Sequence, residues 1–179
     1  RSMKVIGSEE NAKIALAEGD IIYVNQGLDD GLQPGDVYYL QRPAAKVPGL
    51  GWQIERTGWA TILAAQEQTA IAEITESCID VRVGDYLLPF EPVPVPLVPT
   101  HEPPHRLTPE TGQTRGRIVA SLDRIISLGQ GHLVSLDVGE DDGVIPGNLF
   151  TIYRYLYPGV QRKVLGEAAI LTVQNETST

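Results

Sequence analysis

The stretch GLDDGLQPGDVYYLQR at Gly27–Arg42 returns as GEDDGVIPGNLFTIYR at Gly139–Arg154. A shift of 112 positions superposes Gly27, Asp29, Asp30, Gly31, Pro34, Gly35 and Arg42 on identical residues, and Gly19 on Gly131. Apolar character is kept as well: Ile22 falls on Val134, Val24 on Leu136, Leu32 on Val144, Tyr38 on Phe150 and Leu40 on Ile152. A second block, GWATILAAQEQT (Gly58–Thr69), matches GEAAILTVQNET (Gly166–Thr177) at a shift of 108. The four-residue difference falls between the blocks, where loops tolerate length change. Turn residues, apolar alternation and order are all preserved, so the chain reads as two copies of one domain.

Each identical residue has a backbone task. In LDDG the two aspartates suit the centre of a tight turn, and Gly31 supplies the left-handed residue that follows. In QPGD, Pro34 presets φ at the second turn position and Gly35 accepts positive φ at the third, the type II pattern. The flanking DIIYVNQ and DVYYLQR are rich in β-branched and aromatic residues at strand length. Alternation puts Ile22, Val24, Val134 and Leu136 on one face and Tyr23, Asn25, Ser135 and Asp137 on the other. Tyr38, Leu40, Phe150 and Ile152 form a second inward set.

Ser8–Gly19 alone would suit a helix with Ser8 as its N-cap. Its counterpart carries adjacent Ile125 and Ile126 and few helix formers, so both are read as strand–turn–strand, with strands near Lys4–Gly7 and Lys13–Leu16. Each copy is then expected to close as a small antiparallel β-barrel or sandwich. The expected organisation is a first β-module over 1–91, a proline-rich linker or strap over 92–114, and a second module over 115–179. Eight of the 13 prolines lie between Leu87 and Gly112. They exclude that segment from a sheet interior and favour an extended spacer. Its apolar residues Phe90, Val93, Val95, Leu97 and Val98 suit a packed strap equally well. The second copy is truncated: Thr179 aligns with Ile71, leaving no counterpart to Ala72–Pro89.

A net charge of −9 argues against nucleic acid and against an anionic membrane surface. No run of about 18 apolar residues is present to span a bilayer. Cys78 is the single cysteine, so neither an internal disulfide nor a cysteine metal cluster is expected. It reads as a small buried thiol in or beside a strand. HEPPH at His101–His105 matches the H-E-x-x-H zinc pattern in letters, but Pro103 and Pro104 forbid the helix that gives the histidines a common face. Asp29-Asp30 and Asp141-Asp142 lack the alternate spacing of a calcium loop. No nucleophile elbow, phosphate loop or dinucleotide fingerprint occurs. The chain therefore reads as a non-enzyme, without cofactor or metal.

The residues that remain for binding are aromatic and basic. Trp52 and Trp59 lie in and after the long loop of the first copy. Tyr155, Tyr157, Arg162 and Lys163 occupy the matching loop of the second. Such side chains either form an interaction surface or cap the ends of a small barrel.

The series Gly19–Arg42, Gly58–Leu63 and Val83–Leu87, repeated in Gly131–Arg154 and Gly166–Leu171, resembles the C-terminal domain of flagellar assembly protein T. That module recurs in LysM-bearing envelope proteins, among them the type IV pilus secretin-associated protein. The resemblance implies a non-catalytic β-module of the bacterial periplasm that helps seat a secretin, pilus or flagellar assembly. No LysM signature is present here, so peptidoglycan binding through LysM would lie outside this chain. The competing expectation is a carbohydrate-binding module, for peptidoglycan, using the Trp52/Trp59 loop.

Overall fold

The computed structural model describes residues 2–179 except 93, 94, 99, 107, 110, 111, 123–126, 159 and 160. Val93, Ile125 and Ile126, used above in reading the strap and the first strands, fall outside the described residues. The described chain is all-β, with antiparallel ladders and two short 3-10 turns. It divides into two compact units: Arg1–Lys46 with Trp52–Pro92, and Val47–Gly51 with Val93–Thr179. No helix among the described residues is long and apolar enough to cross a membrane.

Unit 1 holds β1 (Val5–Ser8), β2 (Ile21–Val24), β3 (Val37–Val47), β4 (Gly51–Ala65), β5 (Ala70–Ser77) and β6 (Tyr86–Pro89). They form a six-stranded sheet in the order β1-β2-β5-β4-β3-β6. The ladders do not close into the expected barrel. The edge strands do meet, through a Lys4–Tyr86 bridge and backbone bonds from Val5 N to Asp85 O, Gly84 N to Val5 O and Leu87 N to Met3 O. Ile22, Val24, Leu40, Ala60, Ile62, Ala72 and Ile74 point into a core of 15 buried residues. Their period-2 spacing is the expected alternation. Register shifts at Val5/Gly7, Trp59/Ala60 and Ile62/Ala64 mark bulges that bend the sheet around this core.

The second expected strand, Lys13–Leu16, does not form. Only Leu16 bridges Val81. The side chain of Asp20 accepts the Ala17 N–H at 2.7 Å and the Lys13 ammonium at 2.7 Å, so this segment is tied into a turn instead of a ladder. The expected long loop before Trp59 is likewise strand: β3 and β4 run on as a long hairpin, with Leu50 N bonded to Val47 O at the turn.

Unit 2 holds β7 (Ile118–Ser121), β8 (Val134–Leu136), β9 (Leu149–Arg154) and β10 (Lys163–Ala169), as two separate two-stranded sheets, β7-β8 and β9-β10. This too differs from a closed barrel. Its core is small: Leu136, Val138, Val144 and Ile170 are buried, with Val134, Phe150 and Val173 packed against them. Four buried side chains at about 1.5–3 kcal/mol each give far less than the core of unit 1.

The bonds of the two units correspond. In unit 1, Leu28 N and Asp29 N donate to Gln66 O and Glu67 O; in unit 2, Glu140 N and Asp141 N donate to Gln174 O and Asn175 O. Gly35 N donates to Ile62 O and Ile62 N to Asp36 O; Gly147 N donates to Ile170 O and Ile170 N to Asn148 O. Gly27 and Gly139 begin the two 3-10 turns, Leu28–Asp30 and Glu140–Asp142. Gly31 and Gly143 end them with φ of 90° and 76°. The turns at Asp36 and Asn148 also agree, each side chain accepting the N–H three residues earlier, of Gln33 at 2.8 Å and Ile145 at 3.0 Å. His132, which stands where unit 1 has Asp20, does the same task with a ring nitrogen: its Nδ1 accepts the Gly129 N–H at 2.9 Å. Nδ1 therefore carries the lone pair and Nε2 the proton.

Gly27 and Gly139 are points of close backbone approach, as is Gly58 beside Glu76 O. A Cβ on Gly27 would lie 2.1 Å from Gln66 O, and one on Gly139 would lie 2.3 Å from Gln174 O. Backbone cannot retreat there without losing the paired bonds. Gly27→Ala and Gly139→Ala are each expected to destabilise their unit by about 2–3 kcal/mol. Gly166→Ala, whose Cβ would meet nothing within 4 Å, is expected to change stability by under about 1 kcal/mol. Urea unfolding of the three variants checks the ranking; equal effects would refute it.

Candidate functional site

The outward face of β3 and β6 is built by alternation. Tyr38 and Leu40 enter the core, so Tyr39 between them faces out, beside its register partner Leu88. It is nevertheless only 9% exposed, because three side chains cover it. The Phe90 ring lies 4.8 Å from the Tyr39 centroid, the Trp59 ring 5.9 Å, and the Arg56 guanidinium 3.8 Å above it. The Tyr39 hydroxyl donates to Glu91 O at 3.0 Å. Tilted rings at these distances and a cation over a ring face are favourable geometries. Phe90, Leu88, Val37, Ile54 and Trp52 remain substantially exposed, Trp52 at 60%. Unit 1 thus carries an aromatic, apolar sheet face with a cation on it, where partner binding has chemistry to use.

A second cluster in unit 1 is buried and ionic. Arg42 donates through Nη2 to Asp80 O and to Asp85 Oδ2, the latter at 3.1 Å. Asp85 also accepts the Thr57 hydroxyl at 3.2 Å and the Arg82 N–H at 3.1 Å. Thr57 is fully buried and Asp85 3% exposed. Burial pushes the Asp85 carboxyl above the ordinary aspartate range, against the opposing pull of the Arg82 N–H, Arg42 and Thr57. The Arg42 Nε lacks a hydrogen-bond partner. The cluster joins β3, β4 and the Arg82–Asp85 turn; apart from Arg42 Nε, the groups named here bond to one another, which suits a structural clamp. Arg154, the counterpart of Arg42, is exposed.

Cys78 is exposed, contrary to the expected buried thiol. It lies just past the end of β5, where its N–H bonds to Thr57 O and its side chain leaves the sheet. Partial burial and the neighbouring Glu76 charge raise its pKa, which disfavours the thiolate.

In unit 2, Tyr155 packs edge-on against Tyr153 at 5.6 Å, and Arg162 lies 5.0 Å from the Tyr153 centroid. Arg162 also donates to Thr108 O of the proline-rich segment. Lys163 opens β10 opposite Arg154, and Tyr157 stands 69% exposed in the loop. The HEPPH residues form neither helix nor strand, and a turn closed by Thr108 N to His105 O follows them. His101 Nε2 meets Glu167 Oε2 at 2.6 Å, and Pro103, Pro104 and His105 line a shallow groove with Thr151 and Glu167. Thr114 donates to Asp142 O at 3.0 Å. Among the described residues, no group of three or more His, Cys, Asp or Glu is placed to hold a metal.

Of the residues singled out in sequence, Trp59 joins the Tyr39 cluster and Arg162 joins Tyr153 and Tyr155. Trp52 and Tyr157 stand exposed, and Lys163 pairs along a ladder. Tyr39, Arg56, Phe90 and Tyr153 were not singled out. For Tyr39 the signal was present: the alternation that buries Tyr38 and Leu40 sends it outward. A scan of protein-family models finds no match, and a search of curated proteins finds no significant relative.

The Asp85 clamp has a pH signature. A carboxyl whose pKa is raised on folding binds its proton more tightly in the folded state than in the unfolded chain. That contribution is complete below the ordinary aspartate pKa and is lost as pH rises through the folded value. Parent stability, measured relative to Asp85→Asn by urea unfolding from about pH 3 to about pH 7, is therefore expected to fall with rising pH. A flat or rising difference would mean that Arg42, not burial, dominates.

Proposed function

We propose that the chain is a non-catalytic scaffold of the bacterial cell envelope, built from two tandem copies of one small β-module. Its modules, over 1–91 and 115–179 with the proline-rich 92–114 between them, present sheet surfaces to a protein of a secretin, pilus or flagellar assembly in the periplasm.

One observation carries the proposal. The residues that make up the resemblance to the flagellar assembly protein T module are spent on backbone: Gly27, Gly31, Gly35 and Asp36 on turns and the bonds that dock them, and Gly139, Gly143, Gly147 and Asn148 likewise. A shared signature made of turn residues marks a common frame, and a frame leaves function to whatever its faces display. The face displayed in unit 1 is aromatic and apolar, the composition that partner proteins cover.

In a bacterium carrying the gene, deletion is expected to impair secretin, pilus or flagellar assembly. Restoration should follow from the parent and fail with Trp59→Ala/Phe90→Ala produced at normal levels. A cytoplasmic location in fractionated cells, or full rescue by that variant, would overturn the proposal.

The exposure of Trp52 favours a second reading, a carbohydrate-binding module in which Trp52 and Trp59 stack on sugar rings. Retention on peptidoglycan that is lost in Trp52→Ala and Trp59→Ala variants would select it; no retention of the parent removes it.

A further inference from the structure

The proline-rich segment shows which part of unit 2 a proline-bearing chain lies against. His101 contacts Glu167, and Pro103, Pro104 and His105 line a groove with Thr151 and Glu167. Thr151 and Glu167 are register partners on β9 and β10. Phe150, adjacent to Thr151, packs on the core, so the prolines lie on the outer face of this hairpin.

The shifts that relate the two sequences carry Thr151 to Tyr39 and Glu167 to Trp59. The position under the prolines in unit 2 is therefore, in unit 1, the Tyr39–Trp59 pair with Phe90 and Arg56 around it. Tyr39 is itself covered, and the rings presented over it are those of Trp59 and Phe90; aromatic rings on a rigid sheet are what a polyproline helix packs against, since it is preformed and loses little entropy on docking. A cation on that face suits an acid beside the prolines.

We propose that the outer face of unit 1 around Tyr39, Trp59, Phe90 and Arg56 docks an extended, acidic, proline-rich segment of a partner protein. The inference deepens the scaffold reading and rests on it for the matching of the two modules. It assigns the partner's chemistry: prolines across the Trp59 and Phe90 rings and a carboxylate toward Arg56. Unit 2 has Glu167 where unit 1 has Trp59, and there a histidine accompanies the prolines.

The probe is a synthetic peptide with the sequence of residues 98–110, VPTHEPPHRLTPE, titrated into the full chain and followed by tryptophan fluorescence and calorimetry. Saturable binding is expected. Loss of about tenfold or more in affinity is expected for Trp59→Ala, and again for a peptide with its prolines replaced by alanine. Arg56→Glu is expected to weaken the parent peptide and to be rescued by Glu102→Lys in the peptide. Arg56 lies on the surface, so this variant keeps the test informative if Trp59→Ala destabilises the fold, which circular dichroism monitors.

Absence of binding, or binding indifferent to both Trp59 and Arg56, overturns the proposal. Displacement of the peptide by peptidoglycan fragments that bind more tightly at the same residues also overturns it, in favour of the carbohydrate reading. Failure of the peptide test leaves the assembly phenotype of the deletion untouched. Failure of the assembly test leaves peptide affinity measurable on the purified chain. The two are thereby separable.

Discussion

The structure depends on how a 3-10 turn is docked onto a neighbouring hairpin. Leu28 N and Asp29 N reach Gln66 O and Glu67 O, and the approach is so close that position 27 has no room for a Cβ. Those bonds fix where β3 begins relative to the β4–β5 turn. They thereby set which residues of β3 face the core. The same contact, made with Gln174 and Asn175 around Gly139, organises unit 2 despite its much smaller buried core. Because the requirement is steric and falls on backbone, it constrains a glycine and a turn and leaves most surrounding side chains open to change.

That freedom lets turns docked by matching backbone bonds carry unlike surfaces. Where unit 1 has Tyr39 and Trp59, unit 2 has Thr151 and Glu167; the backbone is paired alike, and the outer face changes from aromatic to polar. His132 illustrates the same tolerance within a turn, since an imidazole lone pair replaces a carboxylate oxygen as acceptor for the N–H three residues earlier. The Arg42–Asp85 clamp is the opposite case. Its partners come from β3, β4 and the turn before β6, so it exists only where all three are assembled.

Much of this frame was legible in the chain. The repeated Asp-Asp-Gly and Pro-Gly turns located the reversals, since few residues accept positive φ and the pattern occurs twice. Alternation in IIYV and VYYL assigned inward faces correctly, Ile22, Val24 and Leu40 being fully buried. Misreadings arose where local pattern competes with distant partners. Lys13–Leu16 has strand-like composition, but a single aspartate ties it into a turn. Trp52 reads as lying in a long loop before Trp59, yet β3 and β4 continue almost to the hairpin tip. Cys78 reads as apolar and buried, but lies just beyond the strand end.

By itself, then, the sequence determined the β class and the places where the backbone turns, because turn chemistry and period-2 alternation are local properties. Only the tertiary structure decided which outward side chains meet. Tyr39 is covered by Arg56, Trp59 and Phe90, residues from 17 to 51 positions away. Asp85 is buried against an arginine 43 positions off. Such pairings depend on strand order and register, which are settled by summed burial and hydrogen bonding over the whole sheet and leave no trace in any short window of the chain.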